Sequence, residues 1–369
     1  RSDVIALNLG GAFFIPDVGE NSFIPFGAFF FRDHSKNDKR RIRAVLNGLV
    51  NEIDFAEGTW NDSNLEFLFH FSNYTIPMGT QEIIDGEKRG FMDVEWGSVY
   101  GGPGIGYRIP IQPYHFDNSF RVGLFYELGF LYSKKTVDSG DLVSLPPDTF
   151  THRLNFKLRY DSFDRNFCEL LHEGWGFGFD LNLCRREKWS DHQYSKIFRF
   201  KRSDTRNYLN IKAYVKAAIP VPFLSEKHRF LLTCNSGWSP SQNWDRFSGM
   251  RIGGGPPPDE AEDLGRQPFP PAVFNQFIAE KYVLSVVEYR YEIEFYMYLH
   301  IKCSLLWGKF GLLNLDKKVS KDFGASFTVG LTSGFVWNSL INFEYSIDNE
   351  FIQQGTVTQG FLISLSKQF

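Results

Sequence analysis

Phe120-Arg121-Val122-Gly123-Leu124-Phe125-Tyr126-Glu127-Leu128-Gly129-Phe130-Leu131-Tyr132-Ser133 is the stretch that decides how this chain folds. Phe120, Val122, Leu124, Tyr126, Leu128, Phe130 and Tyr132 fall at every second place, with Arg121, Gly123, Glu127, Gly129 and Ser133 between them. A period of two belongs to a β-strand, whose side chains point alternately to its two faces. Strands of globular proteins usually run about 5 to 6 residues. This alternation lasts about twice as long, the length needed to cross a bilayer at a tilt.

The same pattern recurs on both sides of it. Ile42, Ala44, Leu46, Gly48 and Val50 alternate with Arg43, Asn47 and Asn51; Leu65, Phe67, Phe69 and Phe71 alternate with Glu66, His70 and Ser72. Leu154, Phe156, Leu158 and Tyr160 alternate with Arg153, Asn155, Lys157 and Arg159, and Trp175 to Leu183 with Gly174 to Asn182. Leu209 to Ile219 repeats it against Asn210, Lys212 and Lys216. A soluble sandwich would mix Val, Ile and Leu inside and need many more short turns. A closed barrel leaves no unpaired edge in hydrocarbon. The expected fold is all-β: a transmembrane antiparallel barrel of sixteen strands. They fall near 4–15, 22–33, 41–54, 64–74, 91–101, 104–113, 119–134, 149–161, 173–185, 207–219, 228–239, 281–295, 298–308, 322–333, 338–348 and 356–369. Gly101-Gly102-Pro103 and Pro110 interrupt the fifth and sixth. An even count puts both termini on one side, here periplasmic, and makes residues 240–280 the sixth outer loop. Residues 1–369 read as one barrel domain.

Composition agrees. The 369 residues carry 40 Lys+Arg against 43 Asp+Glu, too balanced for a nucleic-acid binder that neutralises phosphates. Aromatic residues make up 17%, yet mean hydropathy is −0.27, as expected where apolar and polar positions interleave. There is no run of about 18 apolar residues, and hence no transmembrane helix. His-Glu-x-x-His, Cys-x-x-Cys and Gly-x-Ser-x-Gly are all absent, so neither enzyme chemistry nor a metal or cofactor is expected. Cys184 reads as lumenal and Cys303 as lipid-facing, which argues against a bridge between them. Arg121, Arg153, Lys157, Arg159, Lys212 and Lys216 read as solvated lumenal charges.

Three local signatures fall in register with this barrel. Arg159-Tyr160-Asp161-Ser162-Phe163-Asp164-Arg165-Asn166, followed by His172-Glu173-Gly174, lies on an inner connection. Arg246-Phe247-Ser248-Gly249-Met250-Arg251-Ile252-Gly253-Gly254 lies in the sixth outer loop. The chain closes on Phe361-Leu362-Ile363-Ser364-Leu365-Ser366-Lys367-Gln368-Phe369. Together these resemble the BamA and two-partner-secretion transporter superfamily, over the barrel pattern as a whole and with motifs from about 149 onward. The resemblance implies a sixteen-stranded barrel whose long sixth loop folds into the lumen and carries a Val-Arg-Gly-aromatic tetrad. Here Arg251 is kept, but Ile252-Gly253 replaces the Gly-aromatic pair. It also implies a periplasmic turn at Asp161, Asp164, Arg165 and Gly174, and an assembly signal at Phe361, Ile363, Leu365 and Phe369.

Beside the resemblance, a guanidinium inside a barrel needs a carboxylate partner. With Arg251, Gly253 and Gly254 as the loop anchor, Glu288 and Glu292 on the following strand are the candidate partners; alternatively Arg251 lies in a solvated loop. The family's activity is insertion or translocation of polypeptides at the outer membrane of a Gram-negative-type bacterium. Outer-membrane lipids, client polypeptides and accessory periplasmic domains or lipoproteins would be its partners. Client strands would pair at the seam of first and last strands. Gly10, Gly11, Gly355 and Gly360 would either weaken that seam or relieve crowding in the wall. The family's N-terminal periplasmic domain is expected to be absent from these residues. Two other functions stay open: a barrel that anchors or exports a missing domain such as a patatin-like phospholipase, and a passive diffusion pore.

Overall fold

A computed structural model describes residues 4–19, 21–34, 40–48, 50–58, 64–80, 83–84, 87–88, 93–111, 118–137, 139, 145–165, 170–189, 205–240, 245–255, 267–310, 323–334 and 339–368. Sixteen long strands form the wall: β1 (Val4–Val18), β2 (Asn21–His34), β3 (Arg40–Leu46), β4 (Val50–Gly58), β5 (Leu65–Thr80), β6 (Val94–Pro110), β7 (Ser119–Lys135), β8 (Thr149–Asp161), β9 (Leu171–Arg186), β10 (Asn207–Pro220), β11 (His228–Trp238), β12 (Phe277–Glu294), β13 (Met297–Phe310), β14 (Phe323–Ser333), β15 (Ser339–Asp348) and β16 (Gln359–Gln368). Each pairs antiparallel with the next, and β16 pairs with β1, from Ala6 opposite Gln368 to Ile15 opposite Gln359. The sheet is closed. No helix occurs among the described residues.

Outward positions are the alternating apolar ones. Leu124, Tyr126 and Leu128 of β7 are exposed, while Phe125 and Glu127 between them are buried inside. Aromatics gather near both ends of the outer wall. Trp238, Trp307 and Phe323 lie towards one end, and Tyr160, Trp175, Tyr289 and Tyr291 towards the other. Aromatic belts at the two boundaries are what a membrane-spanning wall requires. The end at which β1 begins and β16 stops is called here the terminal end, and the opposite one the loop end.

Two expected boundaries are corrected, and their effects on the strand count cancel. The stretch 41–54 is not one strand. It turns at Gly48 (φ 81°), where Asn47 Oδ1 accepts from Val50 N at 2.5 Å and Asn51 Oδ1 from Gly48 N at 3.1 Å. Asn-Gly is a strong hairpin signal that the alternation masked. Conversely, 91–101 and 104–113 form the single strand β6, which runs through Gly101-Gly102-Pro103. Pro103 sits opposite Phe69 on the β5 side, while the β7 ladder is broken between Gly101 and Gly104. A proline nitrogen has no hydrogen to give there. A Cβ at Gly104 would stand 2.7 Å from the Leu124 carbonyl oxygen, so glycine is what allows β6 and β7 to stay close. The connection from β5 to β6, in which Ile83–Ile84 pairs with Glu87–Lys88, therefore starts and ends at the loop end.

Candidate functional site

Residues 245–255 and 267–276 join β11 to β12 at the loop end and touch inward-facing side chains from several strands. Their deepest attachment is Asp245, which is fully buried. Arg186, the last residue of β9, reaches it through two donors at 2.6 and 3.2 Å, and the Thr205 hydroxyl donates to it at 2.8 Å. The Arg186 guanidinium lies over the rings of Trp189 (3.9 Å) and Tyr208 (4.8 Å). Asp245 also closes its own turn by accepting from Phe247 N and Ser248 N, both at 2.9 Å. Burial by itself would raise the Asp245 carboxyl, but Arg186, together with the Thr205 hydroxyl and the Phe247 amide, outweighs it and holds the group below the usual aspartate value. Phe247 then stacks edge-on against Trp96 of β6 at 5.2 Å.

Arg251 follows, and its partners differ from those expected. Its guanidinium donates to the carbonyl oxygens of Arg246 (3.2 Å) and Asn275 (3.5 Å) and stands 5.5 Å from the Trp96 ring centre. Glu288 is bound instead by Arg290 at 2.9 Å, with Lys302 at 3.9 Å. The reason is register. Arg251 sits opposite Ile278 of β12, ten residues before Glu288 and fourteen before Glu292. At about 3.3 Å per residue that is roughly 33 Å or more along the strand, beyond any side chain's reach.

Gly253 and Gly254 hold a tight return of the loop on itself. Gly254 N donates to Val273 O at 3.1 Å and Phe269 N to Gly253 O at 2.9 Å; a Cβ on either glycine would overlap the carbonyl of Val273 or Ala272. The returning arm enters an apolar core inside the loop end. Ile252, Phe269 and Ala272 pack with Phe14 and Val18 of β1, Leu284 and Val286 of β12, Leu306 and Phe310 of β13, and Phe351 and Ile352 of the β15–β16 loop. Phe351 is its hub, with ring centres 4.9 Å from Phe277, 5.5 Å from Phe310 and 5.7 Å from Phe269. Pro271 lies where a side chain on Gly360 of β16 would be. The β11–β12 connection thus touches both strands of the seam. A Cβ on Gly10 would overlap Ile363 O of β16 and the Phe26 ring of β2, one on Gly11 would overlap the Phe23 ring, and pairing along the seam is continuous from Ala6 to Ile15.

At the terminal end, Arg165 donates to Asp161 at 2.7 Å, Asp161 caps Phe163 N at 3.0 Å, and Asp164 faces Glu173 across the turn. Gly174 has φ 114°, and a Cβ there would stand 2.5 Å from Ser162 O. The turn drives the fully buried Phe163 against Leu171, Tyr214, Ala218 and Leu231. Phe361 and Ile363 are exposed on the outer wall; Phe369, Asn166 and Cys168 lie outside the described residues.

Lumenal charges are organised into pairs. Glu127, fully buried, accepts from His70 Nδ1 and Arg153 Nε, and His70 Nε2 faces Glu52 at 3.2 Å. Arg43 bridges Asp54 (2.6 Å) and Glu52 (3.2 Å), and Arg159 grips Asp180 at 2.7 and 2.8 Å. A cavity of about 350 Å³ lies among them. Glu52, Asp54 and His70 have ligand atoms within 4.8 Å of one another, but Arg43 already occupies the two carboxylates, which suits an ion-pair network rather than a cation. Cys184 is buried inside and Cys303 faces outward, the two sides expected.

No protein-family profile and no curated protein sequence matches this chain. Solved structures do. BamA from Haemophilus ducreyi lacking POTRA domains 1–3 superposes with a TM-score of 0.57 at 11% identity, over 98% of this chain and 70% of that one. CdiB from Acinetobacter baumannii, a two-partner-secretion transporter, gives 0.57 at 10% identity, over 99% of this chain and 60% of CdiB. This chain spans less than two thirds of CdiB's length. The shared element is the sixteen-stranded antiparallel barrel.

Proposed function

We propose that this barrel inserts polypeptides into the outer membrane or translocates them across it, and does so through the β1–β16 seam. The observation that supports this most directly is the apolar core of the loop end, which reaches both seam strands from inside through Phe14, Val18 and Gly360. A wall joint braced by a loop can part when the brace moves, and a freed β1 edge is a template for an incoming strand. In this reading both termini are periplasmic and the long loop is extracellular, held first by the Asp245–Arg186 pair, with Arg251, Gly253 and Gly254 as its further anchors. Client polypeptides are the substrate, accessory periplasmic domains or lipoproteins the partners, and the barrel forms one domain without enzymatic chemistry. A barrel that exports an attached domain would use the same seam.

Leu9 and Leu365 face each other across the seam. Paired cysteines at Leu9→Cys and Leu365→Cys, in vesicles offered a urea-unfolded eight-stranded barrel polypeptide, provide the test. Insertion should be accelerated over empty vesicles only after the bond is reduced. Equal acceleration with the seam locked removes the seam from the mechanism. A large, steady ion conductance with no acceleration in either state would make the protein a diffusion pore.

A further inference from the structure

The terminal end carries a feature that the seam does not use. The β10–β11 connection turns through Val221-Pro222-Phe223-Leu224, closed by Leu224 N donating to Val221 O at 3.3 Å. Phe223 occupies its third place with φ 67°, in the left-handed region where such a turn favours glycine. Its ring is fully exposed, and so is much of Leu224. The β12–β13 turn lies alongside, tied on by Glu292 N donating to Lys227 O at 2.8 Å and Lys227 Nζ to Ile293 O at 3.3 Å. It presents Phe295, 61% exposed, and Ile293. Two adjacent turns therefore hold large apolar side chains away from the protein, one of them against its backbone preference. Strain of that kind persists where the exposed group has a use.

The position of these tips says what covers them. They continue the apolar outer wall. Trp238 opposite Lys281 and His228 opposite Tyr291 mark the two aromatic belts of β11–β12, ten residues apart. At about 3.3 Å per residue and a tilt near 40°, that is roughly 25 Å along the barrel axis, the height of an apolar band. Phe295 lies four residues beyond Tyr291, which places it about 10 Å further out, at headgroup depth. Ser225, Glu226 and Lys227 in the same connection supply polar groups at that level.

We infer that Phe223, Leu224 and Phe295 form an interfacial anchor that dips into the lipid headgroup layer at the terminal end, on the β10–β13 side of the barrel. The inference rests on the reading of the outer wall as lipid-facing. The test uses the full chain with Cys168, Cys184, Cys234 and Cys303 replaced by alanine. An environment-sensitive fluorophore is placed at Phe223→Cys, at the mid-wall Val215→Cys, or at the loop-end Asn47→Cys. Each variant is refolded, checked by heat-modifiable migration, and reconstituted without other protein into phosphatidylethanolamine–phosphatidylglycerol vesicles. Lipids bearing a nitroxide either on the headgroup or deep in the acyl chain are the quenchers. The residue 223 probe should shift to the blue and lose roughly half its emission to the headgroup nitroxide and little to the deep one, as expected for shallow burial of about 5–10 Å. The residue 215 probe should respond to the deep nitroxide and the residue 47 probe to neither. A residue 223 probe as wet as that at 47, beside a quenched probe at 215, overturns the anchor and leaves a water-facing patch shaped for a protein partner. If 215 is unquenched as well, the lipid-facing wall fails first and the anchor with it.

Discussion

Replacing Arg186 with Met should release the long β11–β12 connection, and the structure sets how far. Asp245 is fully buried, and among the described residues its charged partner is Arg186, at 2.6 and 3.2 Å. Removing one member of a buried pair leaves the other as an uncompensated charge, at a cost of about 3–5 kcal/mol. Since about 1.4 kcal/mol is a factor of ten, the population of open loop should rise roughly 10²- to 4 × 10³-fold. Cleavage by subtilisin follows that population when opening and closing are fast. The assay is the rate of cleavage between β11 and β12 in the folded, detergent-solubilised barrel, with the fragments mapped. Arg186→Met combined with Asp245→Leu removes both charges and should recover most of the protection. Arg251→Ala should cost less, on the order of tenfold, because its donors reach only carbonyl oxygens at 3.2 and 3.5 Å. If the Arg186 variant is cleaved no faster than the parent, or if Arg251 matters more, the anchor has been misassigned.

The Asp245 carboxyl is held below its usual value of 3.8, so the stability it contributes is complete above that pH and is lost as pH falls through the lower folded value. Loop protection should therefore be flat from neutral pH down to about pH 5 and weaken only below about pH 4, a dependence that Arg186→Met abolishes. Phe269→Ala empties the centre of the loop-end core and should cost about 3–5 kcal/mol, read as a lower unfolding temperature in detergent. Gly360→Val drives a side chain into Pro271 and should cost about 1–3 kcal/mol while leaving the outer wall untouched. Cysteines at Leu9 and Leu365 should bridge readily, whereas Leu9 with Ser364, one residue out of register and on the opposite face, should not; equal bridging would contradict the observed seam.

The residues themselves determined the wall. Alternation in β7, β8, β9 and β10 fixes which side chain faces out, because a strand has only two faces and a one-residue slip would put Arg and Glu outside. The number of strands was legible as well, although for partly wrong reasons. Asn47-Gly48 hides a turn inside an unbroken alternation, and Gly101-Gly102-Pro103 looks like a break while the neighbouring strands carry β6 straight through it. The Asp-rich turn could be placed because its hydrogen bonds are local, from Asp161 to Phe163 and Arg165. Only the tertiary structure decided what the long loop holds on to. Arg186 and Asp245 are 59 residues apart, and Phe269 meets Phe351 from a separate connection. No periodicity links such residues, because they meet only when the sheet closes into a cylinder. The loop binds where its backbone register places it, and that register put Arg251 beside Trp96, far along the strand from the glutamates.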